Sequence, residues 1–385
     1  MHLTYSRYEL TELMAAFLAY AYGLTPTDTK NACLLEQLET NTSTIKSLAV
    51  ENRVWTNIVA TLSENPILSE SLPSDLRRQI VIEYLTQRAR AKKDLAQLDE
   101  LETNPVLSKS KLILLKGSVR LFDDLYPTDA HRFMMDIDIY FENSDCIKAF
   151  AQLGYIIRDE GFDALEDLSP GFLAEHSKHD HHLPPITSKS HKKRIELHQS
   201  LIQKFVTASM RKQSIDAAIP IPNKNYLLQL RPLDQLIMLL IHCRIADRYA
   251  DFSTSRLRNT LEGYLLYKRL DNSDRNLLDS HFSAIGYRDE LEFWKYMCLQ
   301  LFEAPEFSHL IHRRSLQARY ALHKRVSQND NITALQYTWY FVYRLFSFRL
   351  TNSLQRKRLI SKILQKNSWK IFLAKVRRIF GGKFL

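Results

Sequence analysis

The chain has 385 residues, 45% hydrophobic and 25% charged, an ordinary globular usage that excludes disorder throughout. Nine glycines, about 2% against a usual ~7%, exclude a glycine-rich dinucleotide fold or a collagen and favour helices. The net charge of +10 belongs to one end: residues 331–385 carry 12 Lys+Arg and no Asp or Glu, leaving 41 basic against 43 acidic residues before them, so the excess describes a partner of that segment and not the body.

Residues 1–105 read as an N-terminal helical segment. TELMAAFLAYAYGL and RRQIVIEYLTQRARAKKDLAQLDEL repeat apolar residues at three and four, the second starting near Pro73-Ser74-Asp75 and running long. Nothing in this segment looks chemical. The apolar run Leu13 to Leu24 is too short for a membrane span, which needs about 20 residues, and Glu9 and Glu12 stand where a basic leader would lie. Cys33, Cys146, Cys243 and Cys298 are widely spaced, with no CxxC pair. They read as reduced thiols, and the chain as cytoplasmic.

Residues 106–230 read as an α/β core. LILL at 112–115 is a short buried strand stopped at Lys116-Gly117-Ser118. SVRLFDDLY has helical spacing up to Pro127, with Asp123-Asp124 on its solvated face. DIDIYF at 136–141 starts with the alternation of a half-buried strand. SDCIKAFAQLGY reads as a helix capped at Ser144 and stopped at Gly154. Tyr155-Ile156-Ile157 is a strand, and GFLAEHS a short helix within the polar stretch 159–192. RIELHQSL alternates Ile195 and Leu197 against Glu196 and His198. Residues 231–330 return to helices, with His242 and Cys243 read as core. Residues 331–385 form an aromatic and basic helical tail.

On a strand, residues i and i+2 share a face, so Asp136 and Asp138 project together while Ile137 and Ile139 face a core. Two carboxylates this close repel unless a cation lies between them, and paired hard oxygens suit Mg²⁺ bound with substrate phosphates. The Gly117-Ser118 turn leads from strand to helix, where backbone N–H groups can hold a phosphate, and Lys116 adds a point charge. Glu196, facing away from Ile195 and Leu197, is the best candidate for a third carboxylate.

The order strand–KG–helix–Tyr–Pro, Arg132 shortly before DIDIY, then LGY, HHLP and IELH, resembles the uncharacterised nucleotidyltransferase family of the polymerase β-type superfamily. The likeness covers roughly residues 1–300 and is specific between Leu114 and Leu201. The superfamily pattern is an hG[GS] turn, a DxD or DxE strand and a later acidic strand residue, matched here by Gly117-Ser118, Asp136 with Asp138, and Glu196. The later helix reads LEGYLL, with Glu262 where the resemblance leads one to expect aspartate. The resemblance implies a helix-rich α+β fold, a small mixed sheet flanked by N-terminal and C-terminal helical segments. It implies transfer of a nucleoside monophosphate from an NTP to an acceptor hydroxyl, with pyrophosphate leaving. It implies two Mg²⁺, replaceable by Mn²⁺, at Asp136, Asp138 and Glu196. Lys116, Gly117, Ser118 and Arg132 would contact the NTP, with His182 and His198 accessory.

Two rival readings stay open at this stage. A non-catalytic module of the same fold would use its tail on RNA or an anionic membrane: Trp369, Phe372, Leu373, Val376, Ile379 and Phe380 share one helical face and Lys370, Lys375, Arg377 and Arg378 lie mostly opposite. That places the chain in the cytoplasm or peripherally at a membrane. A zinc hydrolase would use His176, His179, His181 and His182 with Asp180, although no HExxH helix is present. The acceptor, whether RNA, protein or small molecule, is not named by any motif.

Overall fold

The computed structural model describes residues 5–25, 30–143, 145–157, 183–191, 193–201, 207–246 and 257–328. It is a helix-rich α+β fold built around one seven-stranded mixed sheet. The expectations on Ser144, GFLAEHS, His182 with its neighbouring histidines, and the basic tail lie outside the described residues.

The first hundred residues are helical, as their periodicity predicts: α1 (Arg7–Ala21), α2 (Asn31–Thr40), α3 (Thr42–Glu51), α4 (Trp55–Glu64), α5 (Pro66–Ser69) and α6 (Ser74–Thr103). Ser6 starts α1 through a capping box with Glu9, satisfying backbone N–H groups that have no partner inside the helix. At 30 residues, α6 is about 45 Å long.

Seven strands follow, interleaved with helices: β1 (Leu112–Leu115), β2 (Asp136–Phe141), α7 (Asp145–Gln152), β3 (Tyr155–Ile157), β4 (Ile186–Ser188), β5 (Arg194–His198), α8 (Ala208–Asp216), β6 (Ile219–Pro220) and β7 (Leu227–Gln229). Across the sheet the order is β3-β4-β5-β2-β1-β7-β6. β1 runs antiparallel to β2 and parallel to β7, while β2 and β5 are parallel. Gly154, in the left-handed region at φ +76, lets the chain turn straight from α7 into β3. SVRLFDDLY is not the helix its spacing predicts. A six-residue 3-10 turn, Lys116–Leu121, is followed by irregular chain, because Arg120 folds back onto half-buried Asp123 and ties its other terminal nitrogen to Gln235 at 2.7 Å. Asp123 is therefore an internal ion-pair partner, and only Asp124 is solvated.

Helices close the described chain: α9 (Pro232–Leu240), a π-helical turn Ile241–Ala246, then α10 (Leu257–Lys268), α11 (Asn272–Ala284), α12 (Arg288–Phe302) and α13 (Arg314–Gln328).

The sheet separates two apolar cores. One face presents Leu112, Leu114, Ile137, Ile139, Ile195 and Leu197 to α7 and to Leu98 and Leu101 at the end of α6. Ile113, Leu115 and Tyr140, on the other face, belong to the core shared by α1–α4 and α9–α13. Burying each of these side chains contributes about 1.5–3 kcal/mol. Between that second core and the sheet lies the cleft.

Candidate active site

The parallel pairing of β2 with β5 places Asp136 beside Arg194, Asp138 beside Glu196 and Tyr140 beside His198. Asp138 and Glu196 thus sit next to each other on the face opposite Ile137 and Ile195. Ligand atoms of Asp138, Glu196 and His198 all lie within 4.8 Å of one another. Asp136 shares the face, is half-buried and lines the cleft one pleat away, outside that close group.

Asp138 is the centre of the network. Its Oδ1 accepts from Lys116 Nζ at 2.7 Å and from His198 Nε2 at 2.8 Å, and its backbone N–H donates to Ser118 Oγ at 2.8 Å. Burial alone would push its carboxyl pKa up. The hydrogen bond from His198 and the charge of Lys116 outweigh that, holding it well below the usual carboxylate range. Burial would likewise lower the Lys116 pKa, but Asp138, with Glu196 and Asp136 adding to it, raises it instead. One ammonium therefore lies in the field of all three acidic side chains.

Lys116 has φ +50, in the left-handed region that costs a non-glycine residue about 1–2 kcal/mol. Next to it, a Cβ on Gly117 would stand 2.8 Å from Arg132 Nη2 and 3.1 Å from Arg132 Cζ. Only glycine lets that guanidinium lie over the turn. Arg132 is held there by Glu262 of α10, whose Oε1 accepts from Arg132 Nε at 2.5 Å and from the Tyr126 hydroxyl at 3.1 Å. Burial would raise the Glu262 pKa, yet Arg132, with Arg258 and Arg120 behind it, lowers it. The glutamate at 262 therefore makes a contact between the late helices and the sheet. Gly117 and Ser118 are buried: Ser118 fixes β2, and Gly117 admits Arg132.

Lys116, Gly117, Arg132, Asp136, Asp138 and Glu262 line a cleft of about 740 Å³. Its floor is the Lys116–Arg120 turn and Arg132–Asp138. One wall is α9, the π-helical turn and α10, including His242 and Cys243, which are half-buried cleft residues and not core. The other wall comes from the N-terminal helices, with Arg53, Trp55, Thr56, Gln87 and Arg90. That wall is anchored through His131, whose ring bridges the Tyr22 hydroxyl (2.6 Å) and Glu64 (2.9 Å), while its carbonyl accepts from Thr56. The segment that looked devoid of chemistry thus supplies cations to the cleft. No local spacing marked them, since they come from different helices.

Five arginines and one lysine line the cleft against the carboxylates of Asp136, Asp138 and Glu262. Such a cavity suits an anion carried to a cation-binding group of carboxylates.

Comparison with known proteins agrees with the resemblance. The profile of a family described as uncharacterised nucleotidyltransferase matches residues 39–303, most of the chain. The match takes in the N-terminal wall, the sheet and the late helices that hold Arg132. No curated protein and no solved structure matches the chain.

Proposed function

The chain belongs to the uncharacterised nucleotidyltransferase family, and from that premise we propose that it transfers a nucleoside monophosphate from an NTP to an acceptor hydroxyl, with pyrophosphate leaving. The observation that carries this reading is the register of β2 on β5, which stands Asp138 beside Glu196 next to the Lys116-Gly117 turn.

The donor set fits a divalent cation. Two carboxylates, Asp138 and Glu196, suit Mg²⁺, and the imidazole of His198 extends the fit to Mn²⁺. Asp136, on the same face, would join them from the cleft side. When bound, Mg²⁺ at this group supplies Lewis-acid neutralisation of phosphate charge.

The chain's own residues do the rest by position and charge. In the transfer, the acceptor oxygen bonds to the α-phosphorus. The bond from that phosphorus to the α–β bridging oxygen breaks, and its electron pair leaves with pyrophosphate. Arg132, aimed over Gly117 by Glu262, meets the charge that builds on the departing phosphates. Lys116, the first residue of that turn, serves the same end from beside Asp138. Glu196 receives the proton of the acceptor hydroxyl. His198 keeps Asp138 oriented and ionised through its hydrogen bond at 2.8 Å. The apolar residues lining the cleft, among them Leu114, Leu115 and Leu239, lower the local dielectric, which raises the worth of each of these charges.

The test is incubation of the purified chain with labelled NTPs, Mg²⁺ and a total cell extract, with Asp138→Asn in parallel. Transfer of label by the wild-type chain alone supports the reading. No NTP consumption with any acceptor fraction, in Mg²⁺ or Mn²⁺, overturns it.

A further inference from the structure

One surface is left unexplained by the transfer chemistry. Along α6, residues 77–93 carry Arg77, Arg78, Arg88, Arg90, Lys92 and Lys93, every one exposed. Among the described residues none of the six forms a close ion pair, although Arg90 lies in the field of Asp94 and Arg88 lies over the Tyr84 ring. The single acid in that stretch, Glu83, is engaged by Lys46 and Trp55. Like charges spread along about 24 Å of helix with so few acids beside them repel one another, and a polyanion relieves that repulsion.

The same helix also reaches the cleft, from a neighbouring side. Arg90 and Gln87 line its N-terminal wall. At the mouth, Phe133 keeps 38% of its surface exposed. Its ring has the Arg90 guanidinium 5.8 Å from its centroid and Lys193 Nζ at 5.6 Å. Phe133 follows Arg132, the residue over the Gly117 turn, so the ring stands at the entrance to the reacting centre. Lys193 is held by Asp94 at 3.0 Å and by the Met134 carbonyl at 2.7 Å, so Arg90 is the cation left for a ligand beside the ring. A partly exposed ring with such a cation at one end of a basic helix suits a single strand, the ring stacking on a base while the cations follow the phosphates.

We propose that α6 and Phe133 bind a single-stranded nucleic acid whose end enters the cleft as the acceptor. This rests on the transfer reading and names its acceptor class. The exposed Val81, Ile82 and Leu85 cover little more than one turn, a short apolar stripe for a helix lying in a bilayer. The chain's own tail is an unsuitable cover, since residues 331–385 bring 12 more cations and no acid.

The experiment measures binding of the full chain, without NTP, to a labelled oligouridine of about 20 nucleotides by fluorescence anisotropy across roughly 50–200 mM salt. A matching thymidine DNA and anionic phosphatidylglycerol vesicles form the other arms. Because the tail also attracts polyanions, the decisive comparison is between variants. The set Arg77→Gln, Arg78→Gln, Lys92→Gln and Lys93→Gln should weaken oligonucleotide binding at least about tenfold and flatten its salt dependence, each lost phosphate contact removing about 0.7 from the slope. Phe133→Ala should weaken it by roughly tenfold, with the loss persisting at high salt because stacking is not screened. Arg78→Glu alone is a second variant should the fourfold set fold poorly, with the same direction of effect. Unchanged affinity in the α6 variants overturns the proposal and assigns any binding to the tail. Loss of vesicle binding with oligonucleotide binding intact overturns it in favour of a membrane. Since no NTP is present, failure of nucleotidyl transfer leaves this measurement standing, and failure here leaves transfer to be judged on a small acceptor.

Discussion

The two faces of β2 and β5 are made by the same eleven residues, yet they do opposite work. Ile137, Ile139, Ile195 and Leu197 are fully buried on one side. One step along each strand, Asp138, Glu196 and His198 converge on the other. The apolar side sets where the strands lie, and the polar side inherits that placement as distances of hydrogen-bond length. Three polar groups close to a cleft would scatter in water; fixed to a packed sheet, they are preorganised. A register slip of one residue would exchange the faces and destroy both.

The sharpest way to break this comparison is Asp138→Asn. Nucleotidyl transfer should fall on the order of 10³-fold or more, while circular dichroism stays native, since the amide keeps the shape. A transfer rate within tenfold of wild type would mean that the polar face is not where the chemistry happens. On the apolar face, Ile137→Ala should cost about 2–5 kcal/mol of stability by leaving a cavity, measured by urea unfolding, with transfer by the folded fraction nearly unchanged. A third change tests whether the pair acts as a unit. Glu196→Gln should lower transfer about 100-fold and weaken Mn²⁺ binding in calorimetry, with no more than ~1 kcal/mol of stability lost. Gly117→Ala should act more gently, through geometry: the new methyl meets Arg132, so the rate should drop about tenfold with NTP affinity falling alongside. Substituting Arg132→Lys as well, which withdraws the fork of nitrogens, should make the methyl harmless to packing without restoring the rate.

The smallest expected effect is a pH slope. The carboxyl of Asp138 is held below its unfolded value, so it binds fewer protons in the folded chain than in the unfolded one. Its stabilising contribution is complete above the ordinary carboxylate range, around pH 4, and is lost as the pH falls from there through the lowered pKa. The stability gap between wild type and Asp138→Asn should therefore narrow in acid. A gap that is constant across that window would show that Lys116 and His198 do not hold the charge.

Much of this was legible in the chain. Period-two alternation in DIDIYF and RIELH placed Asp138, Glu196 and His198 on faces opposite their apolar neighbours, and Gly154 and the long helix over residues 74–103 followed from turn chemistry and periodicity. What alternation does not carry is which strands meet. That Glu196 lies beside Asp138 and not beside Asp136 depends on a parallel pairing between strands far apart in sequence. The hold of Glu262 on Arg132 was hidden for the same reason, being an ion pair spanning 130 positions. Asp123 shows the opposite error. It reads as the solvated face of a helix, but its pairing with Arg120, which also holds Gln235, turns the segment inward. Arg53 and Arg90 were silent because each looks like any surface cation until the helices bearing them are folded around the cleft.

The parallel pairing of β2 with β5 has a consequence for how the molecule comes into being. Joining these strands closes a loop through residues 142–193, and β1 finds β7 across a still longer detour. Such distant contacts form late, after local helices, because the entropy of loop closure is lost before they stabilise anything. During synthesis, a nascent chain released before residue 194 would hold a well-made helical front end and both aspartates of β2, but none of the partners that face them from β5. Catalytic competence should therefore arrive abruptly, near the end of folding, and no piece that ends before β5 should retain a fraction of it.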